Sequence, residues 1–246
     1  MLYPIVSSSV YVIICYLLKL KKNDFNNLYK NNYFYRNIVK FCGATYNLFM
    51  TVFSAIFFIQ LCKLMQYEYN TIVNYDIWLN DKVIQNPEIL NLCWLFCHSK
   101  IFEYIDTMFV LIKGGTPIFL QKYHHFGAVW TWFVLLYVDS SAVLIACLFN
   151  SFVHAVMYLY YFSSVFDDSK TLLPIKPFIT SLQLVQLCSG FYIGSTSYVL
   201  RHSKVLGWNN KYILSGLTFL IYDMFLISLF LQFSYRQYFQ RKNKKN

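Results

Sequence analysis

Uncharged apolar runs of about 16 or more residues recur along this chain, and its charges gather in the short segments between them. A helix needs about 20 consecutive apolar residues to cross the hydrocarbon layer of a bilayer. Inside that layer every backbone N–H and C=O must find its partner within the segment, which leaves helices as the economical solution. The pattern therefore predicts an all-α membrane protein, one polytopic domain over residues 1–246. Seven spans are expected, at about 2–18, 41–62, 89–112, 118–138, 141–165, 178–200 and 212–235, with a basic cytoplasmic tail at 236–246.

An apolar content of 57% in 246 residues would suit a globular core as well, and it is the clustering of that content that selects the bilayer. The net charge of +10 does not point to nucleic acid, because the cations flank apolar runs. Lys19, Lys21, Lys22, Lys30, Arg36 and Lys40 stand against the single Asp24, which makes that connection cytoplasmic and the N-terminus lumenal. Seven spans then return the basic tail to the cytoplasm. Arg201, Lys204 and Lys211 run against this orientation, and the stronger asymmetry elsewhere outweighs them. The first run carries no basic residue before it and no small-x-small site, so it reads as a span and not as a cleaved signal. The seven cysteines fall in or beside apolar runs and predict no disulfide framework. Cys93 and Cys97 are one helical turn apart, but without further ligands nearby no metal site is expected.

Against this background the polar residues inside spans stand out. Lys100, Glu103 and Asp106 lie near the middle of the third run. An ionised group there costs about 2.5–3.5 kcal/mol, so three unpaired ones would cost roughly 7–10 kcal/mol. They are expected to pair with one another or to face a wet cavity. At about 100° per residue, Lys100, Glu103 and Thr107 share one stripe, with Asp106 at its border. In the fourth span Gln121, His124 and His125 share a stripe at i, i+3 and i+4. Asn150, His154 and Tyr158 do the same in the fifth, and Thr180, Gln183 and Gln186 in the sixth. Taken singly, such residues are ordinary interhelical hydrogen-bonding groups. An imidazole pair beside carboxylates has the chemistry of a nucleophile, a base or a metal ligand. Asp223 is the one charge in the last span, expected either to partner a basic group or to sit at the end of a tunnel.

In their order and spacing these clusters resemble the ELO family of fatty acid elongases. Lys100-x-x-Glu103-x-x-Asp106-Thr107 matches the family's K-x-x-E-x-x-D-T, and Gln121-x-x-His124-His125 stands at its H-x-x-H-H box with Gln in the place of the first His. Asn150-x-x-x-His154-x-x-Met157-Tyr158 and Thr180-x-x-Gln183-x-x-Gln186 match its later motifs, and Tyr46-Asn47 fits a further one. The resemblance covers roughly residues 46–235. It implies seven helices, six of them around a narrow acyl tunnel closed on the lumenal side. It implies condensation of a long-chain acyl-CoA with malonyl-CoA to 3-oxoacyl-CoA, CO2 and CoA, with bulky side chains at the blind end limiting chain length. By resemblance His124 is the candidate nucleophile, forming an acyl-imidazole, while His154, Asn150 and Gln183 assist the enolate. Lys100, Glu103 and Asp106 orient the histidines, and His125 supports the site. Gln121, Tyr158, Gln183 and Gln186 are expected to meet substrate, and Lys113, Lys122 and Lys176 the CoA phosphates.

No resident cofactor or metal is expected, and acyl-CoA and malonyl-CoA enter as substrates. The implied partners are the bilayer, the reductases and dehydratase that complete an elongation cycle, and a second copy in a homodimer; nucleic acid is not among them. The endoplasmic reticulum membrane is the expected location, and Lys242 and Lys244 have the spacing of a dilysine-type retrieval signal. Two rival classes also use polar groups inside a membrane. A diiron or dizinc desaturase or hydroxylase needs more histidines than the five present. A transporter or channel would use the charged cluster as an ion path, but it calls for Gly or Pro breaks at mid-membrane, whereas here they fall mostly near span ends.

Overall fold

A computed structural model of the chain describes residues 2–71, 84–167, 171–199 and 211–240. All regular structure among these residues is helical. In chain order the helices are α1 (Leu2–Leu20), α2 (Lys22–Asn31), α3 (Tyr33–Thr71), α4 (Pro87–Phe102), α5 (Tyr104–Ile112), α6 (Phe119–Tyr137), α7 (Ala142–Phe166), α8 (Ile175–Ile193) and α9 (Lys211–Ser234). Single π-helical turns, Gly194–Val199 and Tyr235–Gln240, prolong α8 and α9. Arg201, His202, Lys204 and the tail lysines Lys242 and Lys244 lie outside the described residues.

Among the described residues four helices are long and apolar enough to cross a membrane: Leu2–Leu20, Tyr33–Tyr67, Ala142–Phe166 and Ile213–Tyr238. They coincide with the first, second, fifth and seventh expected spans, and they make this a multi-pass membrane protein. The other three expected spans correspond to α4 with α5, to α6 and to α8. Those are the helices that carry the Lys100–Asp106 cluster, the histidine pair and the glutamines. The third is not continuous: it breaks at Glu103, which ends α4 and opens α5.

The local sequence accounts for the helix ends. Asn86 caps α4 by accepting from the Glu88 N–H at 2.9 Å, with Pro87 in the first turn, where its missing N–H is harmless. At the end of α5, Gly114 has φ +75°, and Gly115 N–H bonds Val110 O while Gly114 N–H bonds Leu111 O, both at 2.8 Å. That is a Schellman end. The end of α6 repeats it with Asp139 at φ 53° and bonds from Ser140 to Leu135 and from Asp139 to Leu136.

Large apolar side chains stay exposed along α1 and α3, among them Ile13, Leu17, Phe41, Phe49 and Ile56. Lipid tails are as apolar as these groups, so helix association rests on close packing and polar clips rather than on hiding such a surface. α1 shows the clips: Tyr11 Oη donates to Thr107 Oγ1 at 3.1 Å, Trp130 Nε1 donates to Ser8 Oγ at 3.1 Å, and the Tyr11 and Tyr104 rings stack at 4.2 Å. Thr107 is thereby fully buried against α1, which corrects the expectation that it shares the Lys100–Glu103 stripe. The break at Glu103 turns α5 relative to α4 and sends Thr107 to another neighbour.

The bundle has two unlike halves. In one, Phe57, Leu61, Cys93, Phe96, Trp132, Leu136, Leu144, Cys147, Ile213 and Leu220 form a continuous apolar core. In the other, α3, α6, α7 and α9 stand apart and, with α2, α5 and α8, surround a cavity of about 690 Å³.

Candidate active site

Glu103 is the hinge of the site. Its N–H still reaches back to Ser99 O at 3.3 Å, but its own C=O accepts from Asp106 N–H at 3.1 Å, a tightened turn. The carboxylate, 1% exposed, faces Lys100 Nζ at 2.6 Å and His154 Nδ1 at 3.2 Å. Lys100 is equally buried and donates also to Asn150 Oδ1 at 2.5 Å. Its ammonium lies 4.1 Å from the Phe96 ring centroid and 5.1 Å from that of Trp132. A buried ion pair persists only when its remaining hydrogen-bonding capacity is met. Here Asn150, His154 and two aromatic faces meet it. The expectation that these charges pair with one another holds for Lys100 and Glu103.

Asp106 belongs to a separate network. It accepts from Tyr158 Oη at 2.6 Å and from Tyr46 Oη at 3.3 Å, and Tyr46 also reaches Phe102 O at 3.0 Å. Tyr158, expected to meet substrate, is fully buried and committed to Asp106, although its ring borders the cavity. Asp106 and Tyr158 therefore tie α5 to α7, with Tyr46 bringing in α3.

The histidines converge as their stripes suggest. His124 and His154 have ring centroids 6.5 Å apart, and His125 is buried with no hydrogen-bond partner for Nδ1 among the described residues. His124 Nδ1 lies 3.0 Å from Tyr222 Oη of α9, a contact that no spacing rule pointed to. Donor atoms of Glu103, His124 and His154 all stand within 4.8 Å of one another, so among the described residues these three could hold a metal ion. A cation there would compete with the Lys100 ammonium, which already neutralises Glu103.

The cavity is walled by α2, α3, Glu103, α5, α6, α7, α8 and α9, with no contribution from α1. Gln121, His124, His125, Asn150, His154, Gln183 and Gln186 all line it. Gln183 Nε2 contacts Met157 Sδ at 3.1 Å, while Thr180 is turned to Tyr238 Oη at 2.9 Å. Lys40, two turns into α3, Lys113, the C-cap of α5, and Lys176, in the first turn of α8, line one end of the cavity. Lys122 does not follow them: it is exposed and takes no part in the wall, although Gln121 beside it does. Asp223 does not partner a basic group among the described residues; it is 2% exposed, with Oδ2 unbonded. It borders a second cavity of about 30 Å³ that shares His124, Asn150, Gln186, Leu187 and Leu226 with the first.

All 246 residues match the ELO family, described as GNS1/SUR4. The chain belongs to the ELO family. Among its relatives is fatty acid elongase 3 of Trypanosoma cruzi (strain CL Brener), 33% identical over 162 residues, which are 65% of this chain and 53% of that protein. Fatty acid elongase 3 of Trypanosoma brucei brucei is 34% identical over 152 residues, 61% of this chain and 50% of the other. Very long chain fatty acid elongase 5 of Tachysurus fulvidraco is 36% identical over 102 residues, 40% of this chain and 34% of the other. The chain thus spans about half the length of the two trypanosome elongases. In this ELO-family chain most of the family's motif residues meet around the cavity, Thr180 among them, while Lys100 and Tyr46 stand behind its wall and Thr107 is turned to α1.

Proposed function

We propose that this protein is a fatty acid elongase of the condensing type, joining a long-chain acyl-CoA to malonyl-CoA to give 3-oxoacyl-CoA, CO2 and CoA. The observation that carries the reading is the cavity of about 690 Å³ with His124, His154 and Glu103 on its wall, lysines at one end and a packed apolar core beyond the other. Its size suits a small molecule with an extended tail.

Carbon–carbon bond formation here needs an activated acyl group and a carbanion. The His124 imidazole attacks the thioester carbonyl carbon, the C–S bond breaks, and CoA leaves as the thiolate and takes a proton from water. The acyl-imidazole splits one hard step into two easier ones. Malonyl-CoA then loses CO2, and the resulting enolate attacks the acyl carbon, expelling the imidazole. Donors fixed beforehand near the developing enolate oxygen stabilise it without reorganising; His154, held by Glu103, and Asn150, held by Lys100, are the groups so fixed. Lys40, Lys113 and Lys176 receive the CoA phosphates. Lys122, exposed off the wall, is left out of that set.

In this reading spans two to seven surround an acyl tunnel and span one packs outside it, seven in all. The lysine end opens to the cytoplasm of the endoplasmic reticulum, the N-terminus is lumenal, and the reductases and dehydratase of the elongation cycle take the product onward.

The test is condensation by purified, detergent-solubilised protein with labelled malonyl-CoA and a panel of acyl-CoAs, beside His124→Ala. Malonyl-dependent 3-oxoacyl product that disappears in the variant is the expected result. Undiminished product in the variant would remove His124 as nucleophile. Absence of product from every acyl-CoA, with folded protein, would overturn the condensing function.

A further inference from the structure

We infer that Tyr222 is a positioning residue that holds His124 in the tautomer protonated on Nδ1, so that Nε2 carries the free lone pair. The catalytic consequence rests on the proposed role of His124; the tautomer itself does not. Tyr222 Oη lies 3.0 Å from His124 Nδ1 and 3.2 Å from the carbonyl oxygen of the same residue. A phenol has one proton to give. If it were given to Nδ1, the hydroxyl oxygen and the carbonyl oxygen would face each other with lone pairs only, in a buried site where such repulsion is poorly screened. If it is given to the carbonyl, the hydroxyl accepts from Nδ1–H and both contacts are attractive. Only the second arrangement satisfies all three atoms.

The rest of the surroundings hold the phenol in that place. The Tyr222 ring is 9% exposed and stacks on Tyr123 with centroids 5.5 Å apart and planes 18° apart. Tyr123 Oη donates to Tyr222 O at 3.4 Å. One turn along α6 from Tyr123, Gly127 leaves the room the ring occupies, since a Cβ there would run into the Tyr222 ring edge. A stack, a glycine gap and two hydrogen bonds thus fix one hydroxyl against one imidazole nitrogen.

The tautomer decides which nitrogen reacts. Attack by Nε2 leaves an acyl-imidazolium that still carries its proton on Nδ1, and the hydrogen bond from Nδ1–H to the phenol oxygen strengthens as the ring becomes cationic. Departure of the enolate's product returns the ring to the same neutral tautomer. Tyr222 is therefore expected to act on the rate of acylation and hardly on acyl-CoA binding.

The measurement is 15N NMR of histidine-labelled protein in detergent, with the His124 signals assigned by difference from His124→Gln, alongside condensation kinetics. Wild type is expected to show the proton on Nδ1. Tyr222→Phe keeps the stack and removes the hydroxyl; a mixed or Nε2-protonated His124 is expected, with kcat down about 10- to 100-fold and KM for acyl-CoA within about two-fold. Gly127→Ala, which keeps the hydroxyl and displaces the ring, is expected to give the same pair of changes, and the double variant no more than the worse single one. An Nε2-protonated wild type, or a tautomer unmoved in Tyr222→Phe, overturns the inference. A tautomer that moves as expected in a protein that condenses no acyl-CoA upholds the clamp and removes the function proposed above.

Discussion

Lys100 and Glu103 are each 1% exposed, and the pair illustrates how buried charges behave here. Removing one partner of a buried pair costs about 3–5 kcal/mol because the other is left uncompensated. Lys100→Met should therefore lower the melting temperature of the solubilised protein sharply, leaving Glu103 with His154 alone. Lys100→Met combined with Glu103→Gln should recover much of that loss while remaining inactive. If the double variant melts as low as the sum of the singles, the two residues are not coupled. A second prediction concerns the Glu103–His124–His154 trio. With Lys100 in place to neutralise Glu103, prolonged dialysis against a strong chelator is expected to leave condensation activity intact, and added Zn2+ to depress it through binding at the three donors. Activity lost on chelation and restored by metal would make the trio a resident metal centre.

Helix ends carry the next level. Two helices close with the same hydrogen-bond pattern, α5 on Gly114 and α6 on Asp139. The left-handed conformation costs a residue with a Cβ roughly 1–2 kcal/mol. Asp139→Gly should accordingly raise the melting temperature, while Gly114→Ala should lower it by more than that figure suggests, because the new Cβ would also meet the Asn26 backbone of α2. Gly43→Ala is the control: its Cβ would have ordinary contacts, the nearest at 3.8 Å to Phe109, and melting should scarcely change. Equal effects at Gly114 and Gly43 would contradict the reading of the α5 end. The break at Glu103 is the element-scale feature that matters for chemistry. It aims the carboxylate at α7 and sends Thr107 to α1, from a sequence whose apolar run shows no Gly or Pro to announce it.

For the molecule as a whole, the division into a packed half and a hollow half makes an orientational prediction. Lys40, Lys113 and Lys176 belong to three helices but one end of the cavity. In a background with the exposed Cys42 and Cys188 changed to Ser, a cysteine at Thr171, in the connection next to that end, should react with an impermeant maleimide from the cytoplasmic face of sealed microsomes. A cysteine at Glu88, exposed at the start of α4 beside the packed half, should react only after permeabilisation. Both reacting from one face would refute the seven-span topology.

The chain alone determined the all-helical membrane class, the positions of the four long apolar helices, and the stripes that carry Gln121, His124 and His125 or Asn150 and His154. Those depend on local periodicity and on the cost of polar groups in hydrocarbon, which a linear pattern records. Partner choice does not depend on local pattern. Spacing could say that Lys100 wants an anion, but only the packing of α4 on α6 and α7 showed that Asn150 and two aromatic faces complete its shell, and that Asp106 turns instead to Tyr46 and Tyr158. Lys122 sits one residue from Gln121 and yet leaves the wall, because neighbours in sequence are 100° apart on a helix. Tyr222 is one of the chain's 22 tyrosines, and although Asp223 beside it stands out, no spacing ties Tyr222 to the histidines. Its meeting with His124, 98 positions away, is a fact of tertiary structure, because a hydrogen bond between distant residues exists only where the bundle has already brought two helices together.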